Sequence, residues 1–393
     1  MRLLARLATA ALLTVTPVAA GSASADTPEP TPVPLHTSAN AVPGKYIVTL
    51  EKGVDAAKAA TRLGLKPSFV YTSAMNGFAV PLTPLQLQII RVSLGVKSVE
   101  EDAAVQSVPT PTKTPGMRAP SSSWGLDRID QKNLPLDNDF TTEGNGAGVT
   151  AYILDTGIDY AHTEFGGRAT FGYDAVNDGR LGQDCQGHGT HVAGTVAGKT
   201  YGVARKANLV SVRVLGCDGK GTWSGIIAGM DWVAKNAKKP AVMNGSLGGD
   251  KSDAVNNAAN AVTDSGVLPV IAAGNSSIDA CGVSPASASR VVTVAATTKY
   301  DQETDFSNFG KCVSIYAPGQ DILSAKLGGG SVSLDGTSMA APHVAGVAAL
   351  YVAKHPEAEA DEVAAFLDDE STKDVLTSVS PATPNRLLFT GGL

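Results

Sequence analysis

From residue 149 onward, the apolar residues form short continuous runs and do not alternate with polar ones. The runs at residues 149–154 and 209–214 are typical of β-strands that are buried on both faces. Similar runs at 267–273 and 291–296 are separated by helix-like segments such as residues 223–236. Strands and helices that take turns in this way predict an α/β domain with a mostly parallel central sheet. Ligands of such sheets bind at the carboxyl ends of the strands, so candidate catalytic residues are expected there.

A shorter unit, residues 45–107, precedes this domain and has a different pattern. Its first strand alternates apolar and polar residues, and its second helix opens with Pro84. The predicted elements, in the order strand, helix, strand, strand, helix, strand, are residues 46–50, 55–63, 68–71, 77–82, 84–92 and 96–102. This order is that of a small ferredoxin-like α+β domain.

The remaining segments lack such patterns. Residues 1–25 have a basic start, an apolar stretch and the small residues Ala23 and Ala25, which predict a signal peptide that is removed on export. A membrane anchor is the alternative, but the uninterrupted apolar part is too short. Residues 26–44 and 108–120 are rich in Pro and Thr, which predicts a disordered lead-in and a linker that contains the maturation site. Residues 121–393 then form the α/β domain.

Composition narrows the functions further. Of 393 residues, 43% are hydrophobic and 17% charged, which is typical of a protein with a packed core. The formal net charge of −6 argues against a nucleic-acid binder that acts through bulk positive charge. No later segment approaches the roughly 18 uninterrupted apolar residues of a membrane span, so we expect no membrane binding after processing.

Three local motifs carry candidate chemistry in the α/β domain: Asp155 ends the first buried strand, His188 lies in a Gly-rich segment, and Ser338 follows Gly-Thr. Taken singly, each has a plain alternative. Asp155 could be half of an aspartic protease dyad, but the sequence has no second copy of its motif. His188 and His191 could bind a metal, but no Glu lies between them as in zinc-protease helices. Ser338 could simply cap a helix.

Taken together, in the chain order Asp, His, Ser, they form a nucleophile, a base and an orienting acid. The extended motifs resemble those of the subtilisin-like serine proteases, and the similarity covers residues 124–389. Residues 124–131 and 384–388 are similar to the proteinase K branch, and to its aqualysin-type extracellular enzymes. The resemblance implies a three-layer subtilisin-like fold and a secreted serine endopeptidase that forms an acyl-enzyme.

The resemblance also implies roles for further residues. Asn275 matches the asparagine that contributes to the oxyanion hole of the family. Two edge segments that pair with an extended substrate match Gly219, Lys220, Gly221, Ser246, Leu247 and Gly248. A broad preference for apolar or aromatic residues before the cleaved bond is expected, although Gly245 stands where methionine is usual.

Four cysteines allow three disulfide pairings, which the residues alone do not distinguish. The resemblance implies the pairs Cys185–Cys217 and Cys281–Cys312. A group of short-spaced oxygen ligands early in the domain suits calcium, and related enzymes bind calcium in this segment. Its members are Asp127, Asp130, Gln131, Asp137 and Asp139. A capped, solvated turn is the alternative for this group.

Residues 45–107 resemble the inhibitory propeptide of these proteases, which covers the active site and serves as a folding chaperone. We therefore expect a self-processing zymogen, secreted to the extracellular space. It would act as a monomer on protein and peptide substrates, with no cofactor for the chemistry and calcium in a structural role. A catalytically inactive member that serves as a binding module is one alternative. A protease dedicated to one partner is another, but such enzymes often carry extra domains, and this chain stops just past Phe389.

Overall fold

A nine-stranded sheet forms the centre of the larger part of the chain. The computed structural model describes residues 31–107 and 123–393, so the predicted signal peptide at 1–25 and linker at 108–120 lie outside the described residues. The strand order is β18-β19-β15-β14-β12-β10-β6-β8-β7, and every pair except β18–β19 is parallel. The mostly parallel α/β sheet predicted from the apolar runs is therefore confirmed.

We refer to residues 123–393 as the C-terminal domain. Its strands are β6 Thr150–Asp155, β7 Ala169–Asp174, β8 Asn208–Arg213, β9 Lys220–Thr222, β10 Ala241–Gly245, β11 Leu247–Asp250, β12 Leu268–Ala272, β13 Val283–Ser284, β14 Val292–Thr297, β15 Ile315–Pro318, β16 Ile322–Ala325, β17 Ser331–Leu334, β18 Thr372–Lys373 and β19 Arg386–Leu387. Its helices are α3 Trp124–Ile129, α4 His188–Ala197, α5 Trp223–Asn236, α6 Asp253–Asp264, α7 Thr337–Lys354 and α8 Ala360–Glu370, with a short 3-10 helix at Ala280–Gly282.

Helices cover both faces of the sheet, which gives three layers. Along β6, Ala151 and Ile153 pack into one apolar cluster with residues of α4, α7 and α8. Tyr152 and Leu154 point to the other face and pack into a second cluster with α5 and α6. Because successive side chains of a strand point to opposite faces, a strand between two helical layers must be apolar at every position. This is why β6 carries a continuous apolar run.

We refer to residues 31–107 as the N-terminal domain. Its elements are β1 Leu35–His36, β2 Ala41–Leu50, α1 Ala56–Arg62, β3 Phe69–Tyr71, β4 Gly77–Pro81, α2 Pro84–Arg91 and β5 Val96–Ser107. The four main strands form an antiparallel sheet in the order β5-β2-β4-β3. Thr83 begins α2 with a capping box in which Thr83 and Gln86 bond to each other's backbone N–H. The predicted ferredoxin-like α+β arrangement is confirmed.

Two predictions about this domain are corrected. Residues 35–36 and 41–44 fall in the lead-in predicted to be disordered, but β1 pairs with β5, and β2 begins at Ala41. They are ordered because Val33 and Leu35 pack against the core of the domain and the edge of β5 offers backbone partners. The last strand was expected to end at residue 102, whereas β5 continues to Ser107.

The extension of β5 joins the two domains. Its last residues lie between two short strands of the C-terminal domain, antiparallel to both β9 and β11. Gln106 is opposite Lys220 on one side and Gly248 on the other.

Within residues 31–107 and 123–393, no helix is long and apolar enough to cross a membrane.

Candidate active site

Three elements of the C-terminal domain carry the residues of the predicted triad. Asp155 is the last residue of β6, at the carboxyl edge of the sheet. His188 is the first residue of α4, which begins after Gly187 at φ 109°, in the left-handed region that favours glycine. Ser338 is the second residue of α7, whose first residues follow Gly336 at φ 147°. A strand end and two helix starts thus supply one side chain each.

The imidazole of His188 is held by the Asp155 carboxylate. Nδ1 of His188 lies 2.8 Å from Oδ1 and 2.9 Å from Oδ2 of Asp155, and both side chains are buried. The backbone N–H of Thr156 donates to Asp155 Oδ1 at 2.7 Å, which fixes the carboxylate from the other side. Burial disfavours the charged imidazolium, but the charges of Asp155 and then Asp184 outweigh it, so the pKa of His188 is raised. This arrangement stabilises a proton on His188.

The other ring nitrogen of His188 and the hydroxyl of Ser338 differ in their hydrogen bonding. Nε2 of His188 has no hydrogen-bond partner within the described part of the chain, although it is buried. The hydroxyl of Ser338 donates to the carbonyl of Ser246 at 3.2 Å. Because Nδ1 donates to a carboxylate, Nε2 is the nitrogen with a lone pair available to accept a proton.

Asn275 follows β12 and faces the start of α7. Its Oδ1 accepts from the N–H of Thr337 at 2.9 Å and from the Thr337 hydroxyl at 2.7 Å, which fixes the orientation of the amide. A Cβ added to Gly336 would lie 2.9 Å from Asn275 Nδ2 and 3.6 Å from the backbone nitrogen of Ser338. Both donors therefore border one space, which only a glycine at position 336 leaves open.

The two predicted substrate segments flank the end of β5 as a three-stranded antiparallel arrangement. Gly221 pairs with Val105, and Leu247 pairs with Ser107. The N–H of Ser107 donates to the carbonyl of Gly219 at 2.8 Å. The segments 219–221 and 246–248 thus accommodate an extended chain between them through backbone contacts.

Several residues that the sequence analysis did not single out support the triad. Asp184 accepts from Thr156 Oγ1 and Thr190 Oγ1, and from three backbone N–H groups of the turn that begins α4. Asn244 donates through Nδ2 to Ser246 Oγ, which in turn donates to the carbonyl of Ser338, each at 2.9 Å. The only sequence signal for Asp184 is its position four residues before His188.

Two other histidines lie near the site without joining it. Nε2 of His191 contacts the carbonyls of Ile322 and Val332, and burial lowers the pKa of His191 to about 3. Nδ1 of His343 donates to the carbonyl of Met339, and burial lowers the pKa of His343 to about 4. Both are packed residues. Within the described residues, His188 and His191 belong to no group of three or more His, Cys, Asp or Glu side chains that could hold a metal ion.

Both disulfides are present, and the described residues contain no free cysteine. Cys185 and Cys217 are joined with a Cα–Cα distance of 5.0 Å, and Cys281 and Cys312 with one of 5.3 Å. The first disulfide links the turn before His188 to the turn before β9. It therefore ties a catalytic loop to a substrate segment.

The acidic loop near the start of the domain brings several of its carboxylates close together. Asp127 accepts from the N–H of Asn138, but its buried Oδ1 has no partner within the described residues. Burial, followed by the charges of Asp137 and Asp127, raises the pKa of Asp130 to about 6. A bound cation would relieve this repulsion.

Other oxygens of the loop already serve the backbone. Oε1 of Gln131 accepts from the N–H of Asp137, and Oδ1 of Asp139 accepts from the N–H of Phe140. Within residues 31–107 and 123–393, no group of three or more His, Cys, Asp or Glu side chains is arranged so that it could hold a metal ion. Among the described residues of this loop, Asp127 Oδ1 is the buried side-chain oxygen without a hydrogen-bond partner.

Comparisons with known proteins match both domains. The profile described as "Subtilase family" matches residues 146–387, and that described as "Peptidase inhibitor I9" matches residues 45–107. The chain is 43% identical to an "Extracellular serine proteinase" of Thermus sp. (strain Rt41A) over 377 residues, which are 89% of this chain and 90% of that one. It is 46% identical over 320 residues to "Alkaline serine exoprotease A" of Vibrio alginolyticus, which covers 81% of this chain but only 59% of the relative. A crystal structure of a cold adapted subtilisin-like serine proteinase is 49% identical, with a TM-score of 0.68, and covers 69% of this chain and 99% of that one.

Proposed function

The chain belongs to the subtilase family of serine proteases, and we propose that it is a secreted endopeptidase that acts through Asp155, His188 and Ser338 and is made as a self-processing zymogen. The observation that carries the proposal is the buried His188–Asp155 pair, whose Nε2 has no hydrogen-bond partner within the described residues. It is supported by the extended end of β5, which lies between the two segments predicted to bind substrate. Subtilase chemistry itself needs no cofactor.

The triad supplies the nucleophile and moves its proton. After a side-chain rotation away from Ser246, the hydroxyl of Ser338 would give its proton to Nε2 of His188 as the oxygen attacks the carbonyl carbon. Asp155 stabilises the imidazolium that forms and keeps the ring in the tautomer with its lone pair on Nε2. His188 then protonates the leaving amine, and water hydrolyses the acyl-enzyme by the same steps in reverse.

The negative oxygen of the tetrahedral intermediate requires fixed donors. We assign this role to Nδ2 of Asn275 and the backbone N–H of Ser338, because both border the space beside Gly336. The amide of Asn275 is already oriented by Thr337, so little reorganisation is needed during the reaction.

Substrate would occupy the place of residues 104–107, held by backbone contacts to the segments Gly219–Lys220–Gly221 and Ser246–Leu247–Gly248. Backbone pairing does not depend on side-chain identity, which is consistent with broad specificity. A preference for apolar or aromatic residues before the cleaved bond is carried over from the family and belongs to this proposal.

The N-terminal domain would act as the intramolecular inhibitor. Asp102 accepts from the N–H and hydroxyl of Ser224 at the start of α5, and Glu100 accepts from Ser252 Oγ and the N–H of Ala254 at the start of α6. Carboxylates at helix N-termini are favourable because they satisfy unpaired N–H groups and complement the helix dipole. These contacts hold the end of β5 in the substrate position.

Although the described residues contain no preformed metal site, the acidic loop would close around a structural calcium ion. Asp127 with its unsatisfied Oδ1, Asp130, Gln131, Asp137 and Asp139 supply the oxygen ligands that calcium prefers. The ion would stabilise the fold and take no part in the chemistry.

The central experiment compares Ser338→Ala with the unaltered chain and with Ser333→Ala, an exposed serine of β17 that serves as the control. Secreted Ser338→Ala should accumulate as an uncleaved precursor without activity on casein, while Ser333→Ala should mature normally. Adding a trace of mature wild-type enzyme should convert the Ser338→Ala precursor, which would show that it is folded. Spontaneous maturation of Ser338→Ala, or retained activity, would refute the triad assignment.

A further inference from the structure

We propose that Arg213 is a positioning residue for the reaction, because its guanidinium fixes the backbone carbonyl of Thr156, the residue that follows Asp155, and thereby aligns Asp155 with His188. The inference rests on the proposed function, since it assumes that Asp155 and His188 act together. Arg213 does not contact Ser338 or a substrate position; it would act through Thr156.

Arg213 lies next to the catalytic acid in the sheet. It is the last residue of β8 and is directly opposite Asp155 of β6 in the parallel register. The following residue, Val214, donates its N–H to the carbonyl of Asp155 at 2.9 Å. The Arg213 side chain is completely buried, at 0% exposure. A buried guanidinium is costly to desolvate, so its retention calls for a full set of partners.

Two aspartates hold the Nη atoms of Arg213, and Nε donates to the backbone next to Asp155. Nη1 and Nη2 donate to the Asp178 carboxylate at 2.6 and 2.9 Å, and Nη1 also donates to Asp174 at 3.1 Å. Nε donates to the carbonyl of Thr156 at 3.2 Å. Because the guanidinium is planar, the fork to Asp178 determines where Nε points.

Thr156 connects this donor to both members of the His–Asp pair. Its N–H donates to Asp155 Oδ1 at 2.7 Å. Its hydroxyl donates to Asp184 Oδ1 and accepts from the N–H of Gly189, each at 2.9 Å. Gly189 is the second residue of α4 and directly follows His188. The carbonyl held by Arg213 and the N–H held by Asp155 lie on either side of the Thr156 Cα. A shift of the Thr156 backbone would therefore move the carboxylate relative to the start of the helix that carries the base.

A purely structural ion pair is the competing explanation, and the two differ in their effect on pH dependence. Removing the cation and leaving Asp174 and Asp178 unpaired adds negative charge near His188, which by electrostatics alone raises the pKa of His188. Loss of alignment with Asp155 weakens the contact that stabilises the imidazolium, and this lowers the pKa of His188. The acidic limb of the profile of kcat/KM against pH reports this pKa in the free enzyme.

The test uses Arg213→Met, Arg213→Lys and the control Arg168→Met, each matured by added wild-type enzyme and repurified. Arg168 directly precedes β7, and it donates to the carbonyls of Glu164 and of Ala207, the residue just before β8. We expect Arg213→Met to lower kcat on a peptide substrate by roughly 10- to 100-fold, with KM changed less than about twofold, because misalignment affects the transition state. The acidic limb should move to lower pH.

Arg213→Lys, which keeps a donor for the Thr156 carbonyl, should recover most of this loss, and Arg168→Met should change neither kcat nor the limb. An unchanged kcat in Arg213→Met, or an acidic limb that moves to higher pH, would overturn the inference. If Arg213→Met does not fold, Asp178→Asn is measured in its place. Asp178→Asn weakens the two hydrogen bonds that hold the guanidinium and should lower kcat in the same direction but by less. A kcat equal to that of the wild type would count against the inference. Asp155→Ala is measured alongside, because activity in that variant would refute the triad itself and not only the role of Arg213.

Discussion

Asp231 gives a quantitative test of how the N-terminal domain is held. It lies on α5, and its Oδ1 accepts from the backbone N–H groups of Thr72, Ser73 and Ala74 at 2.9, 2.7 and 2.8 Å. The residue is only 8% exposed in the complete chain. One carboxylate oxygen thus satisfies three donors of the turn between β3 and β4, and Asp231→Ala would leave all three without that partner.

The cost can be estimated from the contacts. A buried donor that loses its partner costs about 1 to 3 kcal/mol, and we take the low end because water can enter the space of the removed carboxylate. Three donors then give about 3 kcal/mol, which corresponds to a roughly 100-fold weaker complex. Asp231→Asn keeps an acceptor oxygen and loses only the charge, so its effect should be smaller.

The assay is inhibition of the mature enzyme by residues 32–107 made as a separate chain. The inhibition constant should be roughly 100-fold higher for Asp231→Ala than for the unaltered enzyme, while kcat and KM on a short peptide stay the same. Asp369→Asn, on the exposed face of α8, serves as the charge-matched control. An inhibition constant within threefold of wild type would show that these three hydrogen bonds do not anchor the domain.

Four further outcomes are expected. Asn275→Ala should lower kcat by about 10² to 10³ with little change in KM, because the proposed role of its amide is to stabilise the oxyanion, which forms only during the reaction. A tenfold or smaller loss would argue against that role. Burial raises the pKa of Glu100 and Asp102 above their ordinary values of 4.5 and 3.8. Binding of the N-terminal domain should therefore tighten as pH falls and weaken as pH rises through the raised pKa values. The double variant Glu100→Gln with Asp102→Asn should flatten this pH dependence in titration calorimetry. A chelator should lower the melting temperature of the mature enzyme. This effect of calcium should fade below about pH 6, where Asp130 takes up a proton. Identical melting curves with and without calcium would refute the proposed calcium site. Because the pKa of His188 is raised, kcat/KM should fall through an acidic limb above pH 6.5, and Asp155→Asn should move that limb down.

The fold was predictable where burial alone determines the pattern. A strand between two helical layers must be apolar at Ala151, Tyr152, Ile153 and Leu154, and such a run is visible without any knowledge of its neighbours. The strand order of the N-terminal domain likewise follows from the order of its elements along the chain.

The extension of β5 was not predictable in the same way. Residues 105–107 form a strand only because β9 and β11, more than 100 positions away in the chain, supply their backbone partners. Both partner strands are short and contain glycine, so neither has a strong pattern of its own. Pairing between segments this distant in sequence leaves no local signal in either of them.

The residues of the candidate site also differ in how far the sequence predicts them. Asp155, His188 and Ser338 lie in extended motifs, whereas Asp184 and Arg213 act through Thr156, from which they are separated by 28 and 57 positions. Single polar residues of this kind resemble any other Asp or Arg at the end of a strand or in a turn. Only the folded arrangement shows that they share a partner.

The position of the anchors on β5 explains how the N-terminal domain could inhibit after the chain is cut. Glu100 and Asp102 cap α6 and α5, and the residues that occupy the substrate segments begin only two positions later. All of these contacts lie before Ser107, so cleavage at a later bond removes none of them. The end of β5 then remains tethered beside the triad at a high effective concentration, although its own backbone pairing is modest. Release would require loss of the anchors or a cut within the N-terminal domain, and weakening Asp231 should therefore shorten the inhibited phase without changing the rate of the first cleavage.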